Sequence, residues 1–354
     1  MNVHELPMVI FTLFSQMSVG TFITLGVVQF VASRGADEET AERVVAPALY
    51  AIGPTLVVGL VVSMLHMNDI GHTFNVILHV GSSWLSREIL FGVGFAAFGF
   101  LFALLEWFKV GSAVLRQVIA VVTALLGIGL IVAESSIYYT LAAVPAWHHW
   151  AVPFQFFASA VLLGVLAVGS ALMIVTLVRA RAAEAGTADD APEAAEAVAE
   201  APDAEAGVGP DDPEAGGGLA VQVRRRVREI NAPTSEAEWA LTSTLLKGIA
   251  VVGATVAVLL LAMYPIYLAD LGAAGAAGQA SLAVFASPWL ALRLVLLAAT
   301  AIVLGFFVYR MAGKVALAEA KVLVIAVLVS LVLAFTSEFI GRLLHYAAMV
   351  RVGL

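Results

Sequence analysis

The sequence predicts an all-α integral membrane protein of about eight transmembrane helices, and three observations carry that reading. Of the 354 residues, 61% are hydrophobic and only 12% are charged, whereas a typical soluble domain is about 25% charged. Eight stretches approach the roughly 20 apolar residues that a helix needs to cross a bilayer. They are Met8–Ala32, Val44–His66, Glu88–Glu106, Arg116–Glu134, Ala151–Val178, Gly248–Leu268, Pro288–Arg310 and Glu319–Leu344. All eight are continuous apolar runs, not the short alternating segments of a membrane β-barrel.

Taken in order, the first stretch lacks the basic region and cleavage site of a removed signal peptide and is read as the first helix. The second ends in Met64-Leu65-His66-Met67-Asn68-Asp69, and Ser82-Ser83-Trp84-Leu85-Ser86-Arg87-Glu88 opens the third. Titratable groups bunched at the mouths of two membrane helices are costly to place and mark a candidate site; the competing reading is ordinary loop residues in water. Between the fourth and fifth spans, the prolines and tryptophans of Val144–Pro153 suggest a rigid, structural boundary loop.

Residues 179–235 break the pattern and separate helices 1–5 (residues 1–178) from helices 6–8 (residues 236–354). Eleven acids fall between Glu184 and Glu214, amid Ala, Gly and Pro and without a Lys or Arg. Such a stretch buries too little apolar surface to order itself, so a disordered acidic cytoplasmic linker is expected. Without those eleven charges the formal net charge moves from −8 to +3, so the acidity belongs to the linker. The run Arg224-Arg225-Arg226-Val227-Arg228 reads as a positive-inside anchor. Asp270–Ser287 reads as a small-residue loop without side chains for chemistry. Glu338 and Arg342, four apart on the last span, are spaced to pair on one helix face, with His345 and Tyr346 a turn further on.

Orientation follows the cations. With eight spans, one face collects thirteen of the eighteen Lys and Arg residues, which places both termini outside the cytoplasm of a prokaryotic inner membrane. All seven histidines, His4, His66, His72, His79, His148, His149 and His345, then fall on or near the outer face. Histidine exchanges protons near neutral pH, so that face is chemically equipped. There are no cysteines, so the protein itself supplies no thiolates for an iron–sulfur cluster. No histidine sits mid-span, which argues against haem, although His66 and His345 end their helices and could meet. No metal site and no nucleic-acid partner is expected.

With these residues in view, the sequence resembles the membrane-anchor subunits of anaerobic dimethyl sulfoxide reductase, the DmsC family. The matching pieces are Glu5-Leu6-Pro7-Met8-Val9-Ile10-Phe11-Thr12, Ser63-Met64-Leu65-His66, Phe74-Asn75, Leu85-Ser86-Arg87-Glu88-Ile89, Val144-Pro145-Ala146-Trp147 and Glu338-Phe339-Ile340-Gly341-Arg342. The acidic linker departs from the family's short connection. The resemblance implies an eight-helix anchor that oxidises menaquinol near the outer face. It would hand electrons to a ferredoxin-like subunit with four iron–sulfur clusters and, beyond it, to a molybdopterin catalytic subunit. The protein would thus be a non-autonomous subunit that oxidises quinol without reducing the terminal acceptor. By resemblance, His66 and Glu88 carry quinol oxidation. Arg87, Asn68, Glu338, Arg342, His345 and Tyr346 are the further candidates for quinol binding, Arg87 being placed to pair with Glu88 or to meet a partner.

The residues agree with that chemistry. Quinol oxidation releases two electrons and two protons, so it needs hydrogen-bond partners for two hydroxyls and a base. An apolar slot between helices would take the quinol tail. Three other readings stand beside it: a polysulfide- or nitrite-reductase-type anchor, an inert tether, and a secondary transporter. A transporter would place polar residues on broken helices at the membrane midplane, whereas here they gather at one face.

Overall fold

The computed structural model describes residues 6–49, 79–189 and 232–352, with side chains as far as 181 in the middle segment. Seven helices among the described residues are long and apolar enough to cross a membrane, and no strand occurs among them. In sequence order the helices are α1 (Leu6–Gly35), α2 (38–49), α3 (Trp84–Phe108), α4 (Ala113–Tyr139), α5 (Ala151–Asp189), α6 (Glu236–Ala273), α7 (Gly275–Phe285), α8 (Pro288–Ile302) and α9 (Ala320–Ala347). A π-helical turn, Val303–Val308, carries α8 on to Met311. The protein is a multi-pass, all-α membrane protein. The expected second span, Val44–His66, lies mostly outside the described residues, as does the acidic stretch from 190 onward.

Local chemistry starts the helices where the sequence offers a cap. Ser83, Ser112 and Ser235 accept hydrogen bonds from the backbone N–H groups of Ser86, Leu115 and Glu238, at 3.3, 3.2 and 3.2 Å. Each satisfies one amide that the first helical turn leaves free. Asp37 does the same for Thr40 at 2.9 Å, and those bonds hold its carboxyl below the ordinary aspartate value. Asp270–Ser287, expected to be a loop, is helical instead: α6 runs on to Ala273 and α7 occupies Gly275–Phe285. Alanine is the strongest helix former, and its density outweighs the scattered glycines.

The bundle is built around α5. Two thirds of its most apolar stretch is buried (67%), against 11% for α3 at the periphery. Lipid is as apolar as Leu, so helix association here rests on close packing. That packing is tightest where α1 crosses α5: a Cβ on Gly20 would stand 1.8 Å from the Ala160 carbonyl oxygen, and one on Gly164 2.2 Å from Gly20. Ala160-x-x-x-Gly164 is the small-residue spacing that lets two backbones touch. On α4 the faces divide cleanly. Val114, Val118, Val121, Leu125, Ile128 and Val132 are exposed, as suits lipid, while Thr123, Gly127, Leu130, Glu134 and Tyr138 are buried.

Opposite ends of the bundle carry different polar chemistry. At one end Glu238 of α6 pairs with Arg43 of α2 and, at 3.1 Å, with Arg179 of α5. Arg179 also donates to the Arg43 carbonyl at 2.9 Å. This latch joins the two helices that flank the acidic stretch. The candidate site lies at the other end.

Candidate functional site at the polar end of the bundle

Five helices contribute polar side chains to one buried layer: the start of α3, the end of α4, the first half of α1, the start of α5 and the end of α9. Glu88 stands one turn into α3 and is buried, as are Glu134 on α4, Ser15 and Gln16 on α1, and Arg342, His345 and Tyr346 on α9. Glu134 is the hub. Its two carboxylate oxygens accept from Ser15 Oγ at 2.5 Å and from Gln16 Nε2 at 3.1 Å. The Gln16 carbonyl in turn accepts from Arg342 Nη2 at 2.8 Å, and the Arg342 guanidinium lies 3.8 Å from the centre of the Phe156 ring. A buried cation next to a ring face and an amide, connected to a carboxylate, is a compensated arrangement of the kind low dielectric demands.

An aromatic wall adjoins this network. Tyr138 lies one turn beyond Glu134, and its hydroxyl meets that of Tyr346 at 3.0 Å. The His345 ring packs edge-on to Tyr138 at 4.9 Å and stacks on Trp147 at 5.5 Å. Trp147 is held in turn by a 2.8 Å bond from its indole N–H to the His345 carbonyl. His345 Nε2 and Arg342 Nε are buried without a hydrogen-bond partner among the described residues.

Beside it sits a second buried set. Arg293 of α8, 1% exposed, pairs with Glu338 at 3.3 Å. Glu338 also accepts from Ser159 Oγ at 2.5 Å, and the Gln155 carbonyl receives Tyr264 at 3.3 Å and Arg293 at 3.5 Å. Space for the guanidinium comes from Gly341, where a Cβ would stand 1.7 Å from Arg293 Nη1. The pairing expected within α9, Glu338 with Arg342, is therefore replaced by two pairings between helices. Glu338 takes Arg293, and Arg342 takes Gln16.

For Arg87 the structure decides against one of the two expected alternatives, pairing with Glu88. Its guanidinium donates to the carbonyls of Val80 and Gly81 at 2.8 Å each and lies over the Trp84 ring at 4.2 Å. It fastens the turn that precedes α3 and does not pair with Glu88. No hydrogen bond to the Glu88 carboxyl forms among the described residues. His66 and Asn68 lie outside the described residues. In the boundary loop His148 stacks on Tyr139 and bonds its carbonyl at 2.6 Å, while His149 meets Asp270 at 3.1 Å.

Sequence reasoning passed over Ser15, Gln16, Tyr138, Gln155, Ser159 and Tyr264, and it gave Glu134 and Arg293 no role in a site. The signal that could have found them was their position inside apolar spans, where each polar group must face another.

Residues 1–185 match the family model of the DMSO reductase anchor subunit, DmsC. The protein belongs to the DmsC family. It is 34% identical over 154 residues to the C subunit of the anaerobic dimethyl sulfoxide reductase of Escherichia coli K12, an overlap of 44% of this sequence and 53% of that relative. The anaerobic dimethyl sulfoxide reductase subunit YnfH of the same organism is 30% identical over 161 residues, 46% of this sequence and 55% of the relative. The corresponding C subunit of Haemophilus influenzae is 31% identical over 177 residues, 49% and 60% respectively. The protein thus spans little more than half the length of these curated relatives. The family match covers α1 to α5, and with them Glu88, Glu134, Ser15 and Gln16. Arg293, Glu338, Arg342, His345 and Tyr346 lie beyond it.

Proposed function

We propose that this protein is the membrane-anchor and menaquinol-oxidising subunit of a DMSO-reductase-type molybdopterin complex. One observation carries the reading. Glu88 is a carboxyl buried at a helix mouth, with no hydrogen bond among the described residues, beside a network that ends in the unpartnered nitrogens His345 Nε2 and Arg342 Nε. A buried carboxyl without a partner is costly, and a quinol hydroxyl is a partner of the right kind. The aromatic rings of Tyr138, Trp147 and Phe156 supply flat apolar surface of the type a naphthoquinol head packs against.

When bound, the quinol supplies two electrons and two protons. The residues of this protein hold its hydroxyls and take the protons: Glu88 at one hydroxyl and His66, by family resemblance, at the other. The electrons leave for an iron–sulfur subunit, because a sequence without cysteine offers no thiolates for a cluster. That subunit in turn serves a molybdopterin catalytic subunit, which selects the terminal acceptor.

The test is quinol-dependent turnover of the assembled complex in membranes, measured beside turnover driven by an artificial donor to the catalytic subunit. Glu88→Gln and His66→Ala are expected to slow the quinol-dependent rate by about 10²–10⁴-fold, the usual loss for a positioned acid or base. The artificial-donor rate should stay normal. Full quinol activity in both variants would show that the site is elsewhere.

A further inference from the structure

Helices α3 and α4 form an antiparallel pair whose register can be read from their glycines. Gly92 of α3 lies against Leu130 of α4, and Gly129 of α4 lies against Phe91 of α3. Continuing that register one turn toward the polar end brings Glu88 opposite Glu134. Glu134 is 1% exposed and belongs to a helix that also lines the aromatic wall. Its two oxygens accept from Ser15 and Gln16, and the hydrogen bond from Arg342 goes to the Gln16 carbonyl, so among the described residues no cation bonds Glu134 directly.

We infer that Glu134 is the proton acceptor for Glu88, a positioning residue that clears the first carboxyl for its next turnover. The inference rests on the quinol reading above. Two buried carboxyls on facing turns of α3 and α4, with Arg342 as the cation beside them among the described residues, favour one shared negative charge, because a second would be uncompensated. Quinol oxidised to quinone loses two electrons and two protons. The electrons pass to the iron–sulfur clusters of the partner subunit, one proton goes to the acceptor at the other hydroxyl, and the second goes to ionised Glu88. Glu134, protonated while Glu88 carries the shared charge, then releases its proton to water at the polar end, and the Glu88 proton moves to the Glu134 carboxylate, so that Glu88 is ionised again before the next quinol is oxidised. Among the described residues, the charged and titratable groups facing this pair are Tyr138 on α4 and Arg342, His345 and Tyr346 on α9; Ser15 and Gln16 of α1 are neutral.

The experiment compares Glu88→Gln, Glu134→Gln and Glu134→Asp in the assembled complex, with a reduced water-soluble naphthoquinol as donor and an artificial donor as control. Glu134→Gln keeps the acceptor for Ser15 but not the charge. It is expected to lower quinol-dependent turnover by about tenfold or more and to remove one titration from the pH–rate profile, with Glu134→Asp restoring both. A structural role alone would not move the profile. If Glu88→Gln is slow while Glu134→Gln keeps the wild-type rate and profile, the relay is wrong and the quinol site stands. Full activity in Glu88→Gln removes the site and the relay together. Should Glu134→Gln fail to assemble, the infrared difference spectrum on quinol oxidation decides. A carboxyl band that shifts in Glu134→Asp supports the relay, and an unshifted spectrum overturns it.

Discussion

Arg293 shows what one buried charge costs inside a membrane protein. Its guanidinium is fully enclosed and compensated by Glu338, Gln155 and the Tyr264 ring at 5.0 Å. Removing one partner of such a pair strands the other charge, which typically destabilises by about 3–5 kcal/mol, whereas replacing both by apolar groups is often neutral. Arg293→Ala is therefore expected to lower the thermal unfolding midpoint of the detergent-solubilised protein sharply, and Arg293→Met with Glu338→Leu to recover most of it. Two equally unstable variants would contradict this. The helix period made Glu338 and Arg342 legible as neighbours on one face, and that part of the expectation was sound. It could not reveal that a guanidinium on another helix comes closer, because periodicity describes one helix at a time. Glu88 was legible because it stands where an apolar run begins; Glu134 was harder to read because it closes such a run, as an ordinary boundary residue would.

Among the elements, the capped helix starts at Ser83, Ser112 and Ser235 and the apolar spans were plain in the sequence, since both depend on local chemistry. The helical character of Gly275–Phe285 was not, since Gly-Ala-Ala-Gly serves as a loop or a helix equally well until Ser281 bonds the Ala348 carbonyl at 3.0 Å and Phe285 packs against Tyr267. The latch of Arg43, Arg179 and Glu238 bears on the acidic stretch. It fastens the end of α5 to the start of α6, so the geometry of the two helices does not depend on what connects them. Deleting Glu184–Glu214 while keeping Arg224–Arg228 should leave assembly and quinol oxidation near normal, as measured by co-purification of the complex and by turnover. Loss of the complex would show that the stretch does more than connect.

At the scale of the molecule, the bundle is polarised. Arg34, Lys109, Arg116, Arg179, Lys314 and Lys321 stand at the latch end, opposite the buried layer of Glu88 and Glu134. Cations gather on the cytoplasmic side of membrane proteins, which predicts the latch inside and the buried layer outside. Protease added to intact spheroplasts should then spare the acidic stretch, and inverted vesicles should expose it. Cleavage in the spheroplasts would reverse the assignment and put the proposed quinol site on the cytoplasmic side.

The contact between Gly341 and Arg293 also constrains how this sequence can drift. A methyl group at 341 would occupy the place of a guanidinium nitrogen, so position 341 is not free to vary while Arg293 is unchanged. A lineage must shorten the residue at 293 before it can add anything at 341. Whichever of Arg293 and Glu338 changes first leaves the other charge buried alone. Only the place of the step at 341 is fixed, after that at 293, and once all three are taken, a return by single substitutions passes through an overcrowded or unbalanced intermediate. The three positions should therefore be inherited as a block, changing together between lineages and hardly at all within one.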